Sequence, residues 1–178
     1  DLLVQGSRLF RNGGPPNWVF TEATAAAGLS GGFTSGTWGD FNNDGWLDFY
    51  AAGGTDRLYK NDGDGTFTDV TVSAGNVQDA YPSTASGWGD YDRDGFIDLY
   101  VTTGEDWHVG NPLYYPDILW HNDGDGTFTD VTVSANVSEG NHMYYGRGVA
   151  WADFNNDGWL DLYVSNYRLS PNYLYVND

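Results

Sequence analysis

Apolar and aromatic residues fall in short runs broken by turns rich in Asp, Asn and Gly. Leu47 to Ala52 forms one such run, Arg57 to Lys60 a shorter one, and Thr66 to Val70 a third with Phe67 and Val70 apolar. A fourth approaches through Thr37-Trp38-Gly39. Runs of this length, rich in aromatic and aliphatic side chains and joined by Asx/Gly turns, read as strands of β-hairpins. No stretch keeps a 3.6-residue period; Ala23 to Ala27 is long enough for one helical turn within a connection.

The pattern repeats. Asp-Phe-Asn-Asn-Asp-Gly-Trp-Leu-Asp runs from Asp40 to Asp48 and again from Asp153 to Asp161, with Asp-Tyr-Asp-Arg-Asp-Gly-Phe-Ile-Asp between them from Asp90 to Asp98. Asn61 to Ala74 (NDGDGTFTDVTVSA) recurs identically from Asn122 to Ala135, and a degenerate copy spans Leu9 to Asn12 and Phe20 to Glu22. Each unit has four strands, A to D, and a repeat of roughly 50–60 residues is the signature of a β-propeller blade. The expected fold is all-β: a partial propeller of four-stranded antiparallel blades, about three and a half in this chain. The chain opens and closes in mid-repeat, so a single propeller segment over 1–178 divides approximately into 1–28, 29–75, 76–136 and 137–178.

Charge narrows the partners. Lys and Arg total 7 against 25 Asp and Glu, a formal net charge of −18. Sequence-independent nucleic-acid binding needs a basic face, and an anionic membrane surface repels such a chain. No apolar run is long enough to span a bilayer as a helix. Cysteine is absent, which excludes disulfides, thiol catalysis and cysteine-ligated metal.

The acidic loop D-x-[DN]-x-D-G-x-x-D carries the candidate chemistry. Its side-chain oxygens come from Asp40, Asn42, Asp44 and Asp48, from Asp90, Asp92, Asp94 and Asp98, and from Asp153, Asn155, Asp157 and Asp161. Alternating spacing wraps these oxygens around one centre. Hard oxygen donors in this number suit calcium, which takes about 6–8 oxygens at ~2.3–2.6 Å. Position seven (Trp46, Phe96, Trp159) can contribute only its backbone carbonyl, as in an EF-hand loop. The glycine at position six allows the left-handed turn. Position nine is Asp rather than a position-twelve Glu, and a strand follows, so this is a calcium loop on a β-hairpin. No His or Cys lies within the motif, which argues against zinc, and magnesium favours a smaller octahedron with retained waters. Ten carboxylates in three loops repel at short range without a counter-ion, so about three Ca²⁺ are expected. The second loop, with four Asp, is expected to bind most tightly. The paired acids of the NDGDG turns (Asp62/Asp64 and Asp123/Asp125) lack a closing acid and read as ordinary hairpin turns.

These motifs resemble FG-GAP/VCBS-type repeats, the calcium-binding blades of integrin α-subunit propellers and of many secreted bacterial proteins. DFNNDGWLDLYV followed by LYxNDGDGTFTDVT is especially similar to bacterial FG-GAP-like proteins related to cartilage acidic protein. The resemblance covers nearly the whole chain. It implies a β-propeller with one Ca²⁺ per acidic loop, held by the side chains named above and by the carbonyls of Trp46, Phe96 and Trp159. Family propellers usually have about seven blades, twice the number in this chain.

Strand parity puts the A–B loops and C–D turns on one face and the B–C and D–A connections on the other. The longer second repeat adds its extra residues around Glu105 to Asp117 and near Ser138 to Tyr145. That brings Trp107, His108, Tyr114, Tyr115, His142, Met143, Tyr144 and Tyr145 to the face opposite calcium. Aromatic rings with polar edges make recognition surfaces for proteins or glycans, and equally fill gaps between blades. The histidines His108, His121 and His142 have no evident Ser or Cys nucleophile, and His121, which replaces Lys60, reads as an ordinary blade residue. Asn136-Val137-Ser138 is a formal glycosylation sequon. The expected function is an extracellular or cell-surface (or periplasmic) calcium-binding module for recognition, adhesion or assembly, without catalysis. Its copies or further blades could complete the ring. The alternative is a fragment of a polysaccharide-active, lyase-like propeller.

Overall fold

The computed structural model describes residues 2–4, 8–30, 32–78, 81–104, 115–138, 145–167 and 169–178. Among them the chain forms four antiparallel sheets in chain order and no helix. The first holds β1 (Leu2–Val4), β2 (Arg8–Asn12) and β3 (Phe20–Glu22). The second holds β4 (Phe33–Gly39), β5 (Asp48–Gly53), β6 (Arg57–Asn61) and β7 (Phe67–Asp69). The third holds β8 (Ser83–Gly89), β9 (Asp98–Thr103), β10 (Ile118–Asn122) and β11 (Phe128–Asp130). The fourth holds β12 (Gly146–Ala152), β13 (Asp161–Asn166) and β14 (Tyr173–Tyr175). Strands A to D of the sequence repeat are β4–β7 and β8–β11, each sheet an up-and-down meander with sequential neighbours paired. The Ala23–Ala27 stretch makes a single α-turn, Ala27 N donating to Ala23 O at 2.8 Å, and the same turn follows β7 and β11 at Ala74 and Ala135.

The sheets stack face to face with strands β4, β8 and β12 side by side, which is a partial β-propeller with its A strands innermost. Side chains tie these inner strands together. Ser35 Oγ donates to Thr84 O at 2.7 Å, Trp151 Nε1 to Gly87 O at 3.1 Å, and Thr84 Oγ1 to Gly146 O. The Trp-Gly-Asp sequence at the ends of β4 and β8 has a packing reason. A Cβ on Gly39 would lie 2.7 Å from the ring of Trp88, and one on Gly89 would lie 2.7 Å from the ring of Trp151. Glycine there lets the next blade's tryptophan close over the strand. At the outer edge Phe67 N donates to Ala27 O (2.9 Å) and Phe128 N to Ala74 O (3.0 Å), so each D strand is also hydrogen-bonded to the turn of the preceding blade.

With neighbours on both faces, β5 and β9 are buried along their whole length, which is why they read as continuous apolar runs rather than alternating ones. Three cores lie between successive sheets, centred on Leu9, Phe33, Phe49 and Tyr59; on Tyr50, Leu58, Leu99, Val101 and Phe128; and on Tyr100, Leu119, Leu162 and Val164. Each fully buried large side chain contributes about 1.5–3 kcal/mol. Beside β14 a cavity of about 370 Å³ is lined by Tyr91, Leu119, Ala135, Trp151, Leu162 and Tyr175. These are the repeat equivalents of Phe41, Leu58, Ala74, Trp88, Leu99 and Trp120, which pack with Phe128 in the middle core. The fourth sheet therefore carries a socket shaped for the ring that β11 supplies one blade earlier.

Candidate metal centres

Each acidic loop leaves an inner strand and re-enters the sheet at the first residue of the next: Asp40 follows β4 and Asp48 opens β5, Asp90 follows β8 and Asp98 opens β9, Asp153 follows β12 and Asp161 opens β13. The carboxylates themselves fold the loops. Asp40 accepts Asp44 N (3.0 Å) and Gly45 N (2.8 Å), Asn42 Oδ1 accepts Asp44 N (3.1 Å), and Asp44 Oδ1 accepts Trp46 N (2.9 Å). The third loop repeats this with Asp153, Asn155 and Asp157, whose acceptors take Asp157 N, Gly158 N and Trp159 N at 2.8–3.1 Å. Asn43, Arg93 and Asn156 at position four adopt positive φ (57°, 62° and 63°), as do Gly45, Gly95 and Gly158 at position six. This left-handed pair turns each loop back on itself.

The position-nine acid anchors the loop to its sheet. Asp48 accepts Phe41 N (3.1 Å) from its own loop and Asn61 N (2.8 Å) from β6. Asp98 accepts Tyr91 N (3.1 Å) and Asn122 N (2.9 Å), and Asp161 accepts Phe154 N (3.0 Å) and Asn177 N (2.9 Å). Asp48 and Asp98 are 0 % exposed. Burial, reinforced by the neighbouring loop carboxylates, pushes both carboxyls up to about 6, against the hydrogen bonds that favour the ionised form. Asp44, at the mouth of its loop, is held below the usual carboxylate range by the Trp46 amide.

The second loop departs from the other two. Asp90 accepts Gly95 N at 3.2 Å through one oxygen, while its Oδ1 is buried with no hydrogen-bond partner. Carboxylate oxygens of Asp90, Asp92 and Asp94 lie within 4.8 Å of one another. A buried carboxylate oxygen without a donor is costly, and a cation beside it would relieve both that cost and the repulsion among the three acids. The donor set is wholly oxygen in the first and third loops and suits a hard cation. Asp40, Asn42, Asp44 and Asp48 would hold it in one and Asp153, Asn155, Asp157 and Asp161 in the other, with the carbonyls of Trp46 and Trp159 as further acceptors; in the second loop Asp90, Asp92, Asp94 and Asp98 would do so with the Phe96 carbonyl.

The C–D turns lie on the same face, since a Cβ on Gly63 would meet Trp46 at 3.0 Å and one on Gly124 would meet Phe96 at 2.8 Å. Their acids are occupied locally. Asp64 takes Thr66 N and Oγ1, Asp62 takes Thr68 Oγ1, and Asp125 and Asp123 do the same with Thr127 and Thr129. The threonine hydroxyls hold Asp64 and Asp125 below the usual range.

Two sets of residues were not legible as site residues in the motif. The first is the counter-ion position. Lys60 Nζ stands 3.2 Å from Asp44, and in the next blade His121 Nδ1 stands 3.2 Å from Asp98 Oδ1 and 3.4 Å from Asp92 Oδ2. His121 is thus no ordinary blade residue: although it lies outside the loop in sequence, it reaches into the second loop. The signal was the residue preceding the Asn whose amide bonds the position-nine Asp: Lys60, His121 and Val176. The second set closes the opposite end of the blade. Tyr50 OH and Ser83 Oγ donate to Asp56 Oδ2 (both 2.7 Å), Tyr100 OH donates to Asp117 (3.3 Å), and Asn172 Nδ2 donates to Tyr163 OH (2.8 Å). An Asx two residues before the strand-C leucine marks it in all three repeats.

Of the aromatic residues expected to form a recognition face, Trp107, Tyr114 and Tyr144, like His108, His142 and Met143, lie outside the described residues. Tyr115 stacks on Tyr81 with ring centroids 3.6 Å apart, and Tyr145 is 7 % exposed. Tyr145 is therefore a packing residue, whereas Tyr115 keeps part of its surface exposed.

Four meandering sheets stacked about shared inner strands, each A–B hairpin of the last three closed by the same acidic loop, define a repeat protein of propeller blades. The chain matches the FG-GAP-like repeat over residues 1–51, 40–101 and 106–164 and belongs to that family. It is 48% identical over 61 residues to human "Cartilage acidic protein 1", 46% over 61 residues to the mouse protein of that name, and 44% over 62 residues to that of Xenopus tropicalis. Each match covers 34% of this chain and 9% of the relative, so the shared segment is a small part of those proteins.

Proposed function

We propose that the chain is a calcium-stabilised propeller module working outside the cell in recognition, adhesion or assembly rather than catalysis. The observation that carries the reading is the second loop. Three carboxylates gather within 4.8 Å, and a buried Asp90 oxygen has no donor. Calcium would brace each A–B hairpin and neutralise its acids. Extracellular calcium modules work with Kd as weak as ~10⁻⁴–10⁻³ M, a concentration met outside cells and not in the cytosol. The similarity to cartilage acidic protein 1 and the acidic surface support the same setting. Calorimetric titration of chelator-treated protein with Ca²⁺ tests the reading: three equivalents are expected, falling to two in Asp157→Ala. Absence of binding heat at millimolar calcium would remove the ion from the account.

A further inference from the structure

The three loops share a motif but not a neighbour. Lys60 faces the acids of the first loop and His121 those of the second, and the equivalent position beside the third loop is Val176. An ammonium can only neutralise, and a valine offers no donor atom. An imidazole can do more, because its nitrogen is a ligand for zinc-class ions that calcium rarely takes. We propose that the second loop is a mixed nitrogen–oxygen site in which His121 Nδ1 joins Asp92 and Asp98, giving it an affinity for Zn²⁺-class ions that the first and third loops lack.

The geometry supports shared coordination. His121 Nδ1 lies 3.2 Å from Asp98 Oδ1 and 3.4 Å from Asp92 Oδ2, and the three ligand atoms fall within 4.8 Å of one another. Two donors each about 2.0–2.2 Å from one zinc-class ion, at tetrahedral or octahedral angles, are about 2.8–3.6 Å apart. Asp98 is fixed by the amides of Tyr91 and Asn122, so one ligand is already oriented. Asp92 also belongs to the Asp90, Asp92 and Asp94 group, which contains the donorless Asp90 oxygen. His121 is partly exposed, which leaves a route for the ion. The competing role is that of Lys60: an imidazolium that merely balances Asp92 and Asp98. The inference rests on the reading that these loops hold divalent cations, and adds a nitrogen ligand to one of them.

Histidine-selective ¹⁵N NMR on the whole, chelator-treated chain separates the two roles, with the His121 resonance assigned by its loss in His121→Lys. Zn²⁺ is expected to move the His121 Nδ1 resonance until one equivalent is bound, and Ca²⁺ to leave it nearly in place. His121→Lys keeps the positive charge, and the second loop's Zn²⁺ affinity should fall at least by the ~10-fold that even an outer-shell partner is worth. Its calcium-dependent melting, read as a control for folding, should persist. A His121 resonance unmoved by Zn²⁺, or equal Zn²⁺ affinity in His121→Lys, would overturn the nitrogen ligand. Either result alongside intact calcium binding leaves the oxygen sites standing, whereas loss of both ions' binding would overturn the cation reading itself.

Discussion

Stripping calcium from the chain with a chelator at pH 7.5 is expected to lower its melting temperature by roughly 15–30 °C. One site at a hundredfold excess over Kd adds about 2.7 kcal/mol, so three add about 8, and one kcal/mol moves a domain of this size by about 2–4 °C. The drop should shrink at pH 4.5. Asp48 and Asp98 have folded-state carboxyls raised by burial to about 6. A raised group binds protons more tightly when folded. Without a cation its stabilising share is therefore full below the ordinary carboxylate pKa near 4 and is lost as pH rises through 6. Both groups therefore cost the cation-free chain stability as pH rises from about 4 to about 6. A bound cation favours the ionised form and removes that loss, so calcium and acid stabilise the same chain by alternative means. Asp56 is also raised by burial and sits among Tyr50, Ser83 and Gly53, away from the loops. A smaller loss with rising pH should therefore remain in saturating calcium. Melting curves at both pH values, with and without chelator, check this; an equal shift at pH 4.5 and 7.5 would contradict it.

The second large effect is that of Asp98→Ala in calcium, about 5 kcal/mol or roughly 10–20 °C. The variant strands the buried amides of Tyr91 and Asn122, at about 1–3 kcal/mol each. It also removes a ligand from the second loop and with it one site's binding contribution. In chelator the penalty should fall to about 2 kcal/mol or less, because the wild type then carries a desolvated carboxylate that the variant lacks. Denaturant melts of both proteins in both conditions give the four numbers. A penalty independent of calcium would make Asp98 a backbone anchor alone.

Much of this arrangement could be read from the residues. The repeated Asp-Gly loops marked the A–B and C–D strand pairs from β4 to β13, because each Asx/Gly turn joins two strands. The Trp-Gly-Asp words pointed only to a strand; their role emerged in three dimensions, where Gly39 and Gly89 make way for Trp88 and Trp151 of the following blade. His121 was illegible for the same reason. Its distance from Asp98 along the chain conceals a register in which β10 lies beside β9, and only that pairing brings its ring to the loop. Aromatic residues in long connections serve either packing or binding, and burial separates the two only for Tyr145; Tyr115 is part-buried and stacked on Tyr81. The link between Asp56 and Tyr50 crosses a hairpin of irregular length, so its signal lay in the fixed place of Asp56 before Leu58 rather than in its distance from Tyr50.

The proposed cation cage at the head of each A–B hairpin is tested most directly by anomalous diffraction from crystals grown in millimolar calcium. The expected result is a calcium peak inside each of the three loops, touched by Asp40, Asp44 and Asp48, by Asp90, Asp92, Asp94 and Asp98, and by Asp153, Asp157 and Asp161. Well-ordered loops whose carboxylates point to water, with no anomalous peak among them, would contradict it.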